Sequence, residues 1–221
     1  MSSNSNLVNQ VSTMASRTSS LRFLSLLVFS YDIVQMAMAG DPDIITDFIV
    51  PPNENGTVNG NFFTYTGFRA LVGGGPPTPF NVMKASLAEF PALNGQSVSY
   101  AVLQFPNNGT TNPPHTHPRS AELLFLVGGT LEVGFVDTKN NLFRQTLQAG
   151  DLFVDLHTYN ADAENPAIAI SAFGSANAGT VSIPSTLFTT GIDDNVLAIS
   201  FKTDAGTIQK LKAGLAIRRV A

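Results

Sequence analysis

From Ser97 onward the chain alternates short apolar runs with clusters of turn residues. Ser97 to Phe105 runs into Pro106-Asn-Asn-Gly109, Glu122 to Val127 into Gly128-Gly129, and Thr130 to Val136 into the polar segment Asp137 to Asn141. Leu142 to Leu147 followed by Gln148-Ala-Gly150, and Ala167 to Phe173, continue the rhythm. Short strands joined by hairpin turns predict a sandwich or a barrel. Because side chains alternate along a strand, Leu131, Val133 and Phe135 share one face and Glu132 and Gly134 take the other, so one side of that strand is core. Leu123 to Val127 is apolar on both faces, as expected of a strand covered on each side by protein, and a partner subunit is a reasonable cover. Towards the C-terminus the period changes. Asn195 to Lys202 and Thr207 to Gly214 read as short helices separated by Asp204-Ala-Gly206, with Ile208, Leu211 and Leu215 at helical spacing. Helices this short do not persist alone in water, so they pack on the barrel or on a neighbour.

The candidate chemistry sits between two of these strands. His115 and His117 stand two residues apart, so on an extended segment both project from one face and can converge on one ion. Glu122 lies an odd number of residues from each and would face away on a straight strand. Pro118 disfavours an uninterrupted strand and permits the redirection. A His-x-His pair in a loop can equally be a solvated pair. Two neighbours favour a metal: Pro113-Pro114 stiffens the approach, and Glu122 opens an apolar strand, a costly place for a lone carboxylate unless positive charge meets it. Imidazole and carboxylate ligands without thiolate suit manganese, iron, nickel or zinc, and intrinsic affinity alone ranks manganese weakest.

Composition narrows the class. The 221 residues, less any leader, suit one domain, and with only 13% charged residues and many glycines, prolines, threonines and asparagines the chain reads as all-β. The net charge is −4 with scattered basic residues, which leaves no nucleic-acid footprint. Lys210, Lys212, Arg218 and Arg219 read as the basic end of a helix complementing its dipole. Cysteine is absent, so neither a disulfide nor a thiolate ligand is available.

The first 39 residues read as an N-terminal extension and secretory leader, and residues 40–221 as the remaining domain. Arg17 and Arg22 supply positive charge, Phe23 to Tyr31 a short apolar core, and Ala37-Met38-Ala39 small residues, with cleavage expected after Ala39. A membrane anchor needs about 20 apolar residues, and Asp32 interrupts this stretch first. Residues 1–13 are polar and precede a second methionine, Met14, consistent with an upstream extension or a misassigned start. Secretion would make Asn55-Gly-Thr57 and Asn108-Gly-Thr110 available as glycosylation acceptors at Asn55 and Asn108.

The run from Gly109 through Pro113-Pro-His-Thr-His-Pro-Arg-Ser-Ala-Glu122 to Gly129 resembles the first signature box of the germin and germin-like proteins, plant extracellular members of the cupin superfamily. The resemblance extends from about Asp41 to Val220, through Gly60-Asn-Phe-Phe-Thr-Tyr65, Pro79-Phe-Asn-Val82, Gly150-Asp-Leu-Phe-Val154, Ala169 to Asn177 and Pro184-Ser-Thr-Leu-Phe188. It implies a mainly β cupin jelly-roll barrel whose short C-terminal helical pair clasps an adjacent subunit, within a homo-oligomer that is a hexamer built as a trimer of dimers. It implies octahedral manganese held by His115, His117, Glu122 and a third histidine from a second box, with two open positions.

The chain departs from the family in three places. Family members show, in the second box, glycine, five residues, Pro-x-Gly, two residues, histidine, three residues and asparagine. Here Gly150-Asp-Leu-Phe-Val-Asp-Leu-His157-Thr-Tyr-Asn160 lacks the Pro-x-Gly turn, and His157 stands three from Asn160 instead of four. A one-residue offset reverses the face of a strand and a bulge restores it, so His157 is either the fourth ligand or an exposed histidine at a shortened turn. The shortening is a native variant or a gene-model product. The family's disulfide near the mature N-terminus is also missing, so Gly40 to about Asn59 must be held by packing alone and is expected to be looser. Finally, Asn112 matches one of the two asparagines that germin oxalate oxidases place near substrate, whereas the second falls near Ala101, which carries no amide. Arg119 is the nearby cation for a dicarboxylate, or simply a solvated loop residue. The resemblance therefore implies superoxide dismutation in the cell wall and a part in plant defence rather than oxalate oxidation, with Asn112 orienting a bound water. The alternative is a non-catalytic storage, binding or structural wall protein with an impaired metal site.

Overall fold

The computed structural model describes residues 44–52, 58–75, 79–106, 110–155, 159–161 and 166–215. Ten strands appear in chain order: β1 Asn81–Ala85, β2 Ser99–Phe105, β3 His115–Thr116, β4 Glu122–Gly128, β5 Thr130–Val136, β6 Leu142–Gln148, β7 Leu152–Asp155, β8 Tyr159–Ala161, β9 Ala167–Phe173 and β10 Val181–Ser182. Helices follow: α1 Ile183–Phe188, α2 Asp194–Phe201 and α3 Ala205–Leu215. All strand pairs are antiparallel, in a five-stranded sheet ordered β1-β2-β9-β4-β7, a three-stranded sheet ordered β6-β5-β8 and a two-stranded ribbon of β3 and β10.

Register decides which side chains point inward. Across the five-stranded sheet, Lys84, Ala101, Ser171 and Leu124 fall in one row, and the adjacent row holds Ser99, Phe173 and Glu122. The row on the other side brings Val82, Leu103, Ala169 and Leu126 together. From the facing sheet Leu131, Val133 and Leu147 pack against these residues, so the core lies between the two sheets. Phe105, Leu126, Leu131 and Val133 have no exposed surface. The crossing from β4 to β5 is made at Gly129, whose φ of +86° and whose missing Cβ, which would meet the Pro166 carbonyl oxygen at 2.6 Å, admit glycine alone.

Leu123 to Val127 behaves differently from a strand covered on both sides. Leu124 and Leu126 are buried, whereas Leu123, Phe125 and Val127 are exposed on the outer face beside Val154 and Leu152 of β7. Among the described residues nothing covers that apolar face.

The helical region forms a small core of its own. α2 starts one residue before the expected Asn195 because the Asp193 carboxylate accepts from Asn195 N at 2.9 Å and Val196 N at 3.2 Å. It ends at Lys202, whose φ of +53° is a left-handed cap. The Asp204-Ala-Gly206 segment is not a separator: Asp204 accepts from Thr207 N at 2.9 Å and its cap draws Ala205 and Gly206 into the first turn of α3. Of the spaced apolar residues only Ile208 is buried, against Leu197, Ala198, Phe188 and Ile192, while Leu211 and Leu215 stay exposed. Lys212 sits in the last turn of α3, yet it spans back to Asp194 at 2.6 Å and to the Ile192 carbonyl. α1, which carries Pro184 in its first turn and is capped by Ser182, joins the same cluster through Phe188.

Residues 44–52 adopt bends and irregular backbone, tied to the barrel by Gln96 Nε2 donating to the Asp47 carbonyl at 3.1 Å. Leu126→Ala is expected to cost about 2–5 kcal/mol in chemical denaturation because it empties the inter-sheet core. Asp193→Ala is expected to cost about 1 kcal/mol through loss of the α2 cap. Equal midpoints for the two variants and the parent would contradict this division of the structure.

Candidate metal centre

Glu122 is the first residue of β4, at the end of the inner face opposite Phe173, and is only 4% exposed. His115 arrives from outside that sheet. Its strand, β3, is held by pairing with β10 and by Ile183 N donating to the Pro114 carbonyl at 2.9 Å. After His117 the chain folds over Pro118, with Ser120 N donating to the His117 carbonyl at 3.3 Å, and returns as β4. This turn supplies the redirection anticipated at Pro118 and aims Glu122 at both imidazoles.

The ring nitrogens are assigned by their partners. His115 Nδ1 lies 2.9 Å from the Pro113 carbonyl oxygen, and His117 Nδ1 contacts the Gly179 carbonyl oxygen. A carbonyl only accepts, so each Nδ1 carries a proton and donates, which in a neutral imidazole leaves Nε2 as a lone pair. Nε2 of His117 is 3.1 Å from Glu122 Oε2 and Nε2 of His115 is 3.8 Å from it. The three side chains offer ligand atoms that all lie within 4.8 Å of one another. His117 Nε2 and Glu122 Oε2 are both buried without a hydrogen-bond partner.

Three acceptors turned on one point require positive charge. Either a proton converts an imidazole to imidazolium, or a cation occupies the point. Ligand atoms about 2.1 Å from one ion and at right angles to each other lie about 3 Å apart; the His117–Glu122 pair has that spacing, and His115, at 3.8 Å from Glu122, would draw in by under an ångström to complete it. In the protonated form, burial pushes the Glu122 carboxyl up, but hydrogen bonding from His117, the Ser171 hydroxyl and the charge of both imidazoles outweigh burial and hold it below the usual carboxylate range. Ser171 is wholly buried and its hydroxyl meets the geometry of no hydrogen bond as placed, so its effect on Glu122 comes from an oriented dipole close to the carboxylate. The imidazole rings stand edge to face, with centroids 4.9 Å apart, and the Phe173 ring packs 4.7 Å from that of His117. His115, His117 and Glu122 thus form a group that could hold a metal ion.

The ligand atoms face a cavity of about 220 Å³ that Asn112, Ala101, Leu103 and Lys84 also line. Residues 77–209 of this sequence match the Cupin family. The chain is 56% identical over 207 residues to germin-like protein 9-3 of Oryza sativa subsp. japonica, covering 89% of this chain and 96% of that protein. The chain is a germin-like cupin. It is also 37% identical over 209 residues to germin-like protein subfamily 2 member 4 of Arabidopsis thaliana, covering 84% of this chain and 92% of that protein. Among solved structures, recombinant oxalate oxidase in complex with glycolate superposes with a TM-score of 0.70 at 28% identity, covering 80% of this chain and 98% of that one. The mainly β cupin barrel expected from the sequence is therefore the fold of this germin-like protein.

The site residues named from sequence divide clearly. His115, His117 and Glu122 come together, and Asn112 shares their cavity. Ala101 lines the same cavity and offers no amide. His157, like the glycosylation candidates Asn55 and Asn108, lies outside the described residues. Arg119 is an exposed loop residue, as one of its two readings had it, and it does not line the cavity, but it is not idle. Its Nε donates to the Asn177 carbonyl at 2.6 Å, its Nη2 to Asn177 Oδ1 at 3.0 Å, and its backbone N to the Ala178 carbonyl at 3.2 Å. It clamps the loop that presents the Gly179 carbonyl to His117. Sequence reasoning missed Lys84, Ser171 and Gly179; the register of β1 and β9 is the only signal that finds the first two.

Gly179 has φ of +73°, and a Cβ there would lie 2.6 Å from Arg119 Nη2. Gly179→Ala is therefore expected to shift the carbonyl that fixes His117 and to weaken metal affinity by about 10–100-fold, the usual effect of losing a partner behind a ligand. Metal titration of the two proteins checks this; unchanged affinity would show that the Gly179 contact does not orient the ring.

Proposed function

We propose that this germin-like protein is a secreted, apoplastic manganese-binding cupin that dismutes superoxide in the cell wall and takes part in plant defence. Residues 1–39 are removed as leader and residues 40–221 are the mature domain, glycosylated at Asn55 and Asn108. The observation that carries the metal reading is the pair of Nδ1 donors held by backbone carbonyls, which turns two Nε2 lone pairs onto a buried carboxylate.

His115, His117 and Glu122 would hold the ion, with His157 or water completing the sphere. Bound manganese would supply one-electron redox chemistry and open positions for a small oxygen species. Glu122 contributes the negative charge that matches a dication, and the carbonyls behind the imidazoles hold them in the ligating tautomer. Asn112, on the wall of the same cavity, orients a water at the open side. Leu103 and Phe173 limit the water that reaches the ligands. Ala101 supplies none of the amide contacts expected for oxalate, which argues against oxalate oxidation despite the likeness to oxalate oxidase. The exposed apolar face of Leu123, Phe125, Val127, Leu152 and Val154 supports a homo-oligomer, proposed as a hexamer assembled from three dimers.

A second reading rests on the sequence: the second box lacks the family's Pro-x-Gly turn, and His157 stands three residues from Asn160 instead of four, an offset that turns its side chain to the other face of a strand. A binding or structural wall protein with weak metal would follow if that offset keeps His157 from the ion. Mass spectrometry of the purified chain, with superoxide dismutation assayed before and after chelation and with His157→Ala alongside, separates the two. About one manganese per chain, with activity abolished by chelation, is expected under the first reading; a well-folded oligomer with little manganese would leave the second.

Glu122→Gln is expected to abolish stable manganese loading while the barrel still folds. Acidification is expected to release the ion because ligands must be unprotonated. The Glu122 carboxyl is held below the ordinary carboxylate range, so its own protonation comes at lower pH than for an ordinary carboxylate. Metal retention measured by equilibrium dialysis from neutral to acidic pH checks the direction; retention that improves on acidification would contradict the ligand set.

A further inference from the structure

Lys84 is the one lysine or arginine among the described residues that line the cavity, and Glu122 is the one carboxylate. Lys84 belongs to β1, where pairing with Ala101 puts it on the inner face, in the row next to that of Glu122. Three strand spacings of about 4.8 Å separate their strands, so Lys84 and the ligand cluster line different parts of the same cavity. The backbone there is anchored by Tyr65 Oη donating to the Lys84 carbonyl at 2.8 Å.

Lys84 makes no ion pair with any described carboxylate. The acidic group that feels its charge is Glu89, whose Oε2 is already taken by Ser86 N at 3.0 Å and Ser86 Oγ at 2.5 Å. An inner-face ammonium without a fixed counterion is available to an anion entering from solvent. Val82, Ala101, Leu103 and Phe173 give the cavity an apolar stretch of wall, alongside polar lining from Ser99, Asn112 and Asn177. A cavity of about 220 Å³ is too small for a drug-sized ligand, which takes about 300–1,000 Å³. It is larger than the dry cavity of about 150 Å³ that accepts benzene.

We propose that Lys84 binds the carboxylate of a small organic acid whose apolar body lies on Val82, Ala101, Leu103 and Phe173. Lys84 thereby selects an apolar monocarboxylate over a compact dianion with no apolar body. Naming the ligand class of this cavity rests on its being the functional centre proposed above, but the contact tested is Lys84's own.

Calorimetric titration of the purified full chain with benzoate, before and after chelation, tests it, with benzamide as the neutral analogue and oxalate as the compact dianion. Benzoate is expected to bind more tightly than benzamide or oxalate. Lys84→Met is expected to weaken benzoate by about tenfold, equivalent to roughly 1.4 kcal/mol, and Lys84→Arg to recover most of that loss. The exposed position makes either substitution nearly neutral for folding, which thermal melts verify. Equal benzoate affinity in the parent and Lys84→Met, benzamide or oxalate binding as tightly as benzoate, or no benzoate binding at all would overturn the assignment. Manganese content measured on the same samples keeps the two readings apart. Full loading without lysine dependence sinks Lys84 alone, whereas lysine-dependent benzoate binding in a chain that takes no manganese supports Lys84 and sinks the metal reading.

Discussion

The buried carboxylate of Glu122 is the constraint on which the rest of the site depends. Taking a lone carboxylate out of water costs several kcal/mol, and its strand is otherwise apolar. The two imidazoles beside it could relieve that cost as hydrogen-bond donors only through nitrogens that point elsewhere. Because each Nδ1 donates to a backbone carbonyl, neutral rings present lone pairs to the carboxylate, and the cluster calls for a cation. The β3–β10 ribbon, the turn over Pro118 and the loop clamped by Arg119 are the means by which separate stretches of chain hold that arrangement.

The five-stranded sheet divides its inner face by depth. Towards one end, Leu126 and Ala169 meet the facing sheet and exclude water; towards the other, Glu122 and Phe173 face the ligand cluster and cavity, with Leu103 shared by core and cavity wall. A single register sets both, so a slip of one residue in β9 or β4 would turn core and site outward together. The helical cluster around Ile208 stands apart from this dependence, with its own apolar contacts and its own Asp194–Lys212 pair.

Legibility in the sequence followed local periodicity. Thr130–Val136 has the expected bounds because it alternates cleanly, and Ala167–Phe173 because its apolar run is closed by Pro166 and Gly174. β1 escaped notice because Lys84 occupies an inner position where alternation calls for an apolar residue, and α1 because Pro184 and a Ser182 cap occupy a span too short to show a helical period. In the site, His115, His117 and Glu122 were readable because spacing and Pro118 bring them together within one stretch of chain. Ser171, Gly179 and Lys84 are contributed from other strands and loops, so no local pattern announces them. Arg119 was readable as a cation but not in its role, since Asn177, the group it holds, lies 58 residues away.

The same tautomer lock ties ligation to stability. With no ion, the neighbouring imidazoles hold the Glu122 carboxyl below the usual carboxylate range in spite of its burial, so it stays ionised inside the barrel. With an ion, the two lone pairs and the carboxylate are satisfied together. A cation that binds the folded pocket and not the unfolded chain stabilises the fold by about 4 kcal/mol at a thousandfold excess over its Kd. The His-x-His spacing tempers this, because two imidazoles two residues apart remain neighbours in the unfolded chain and retain some affinity there. The net effect therefore rests on what only folding provides: Glu122 carried to the imidazoles by the turn at Pro118, and the Gly179 carbonyl brought across the sheet to His117.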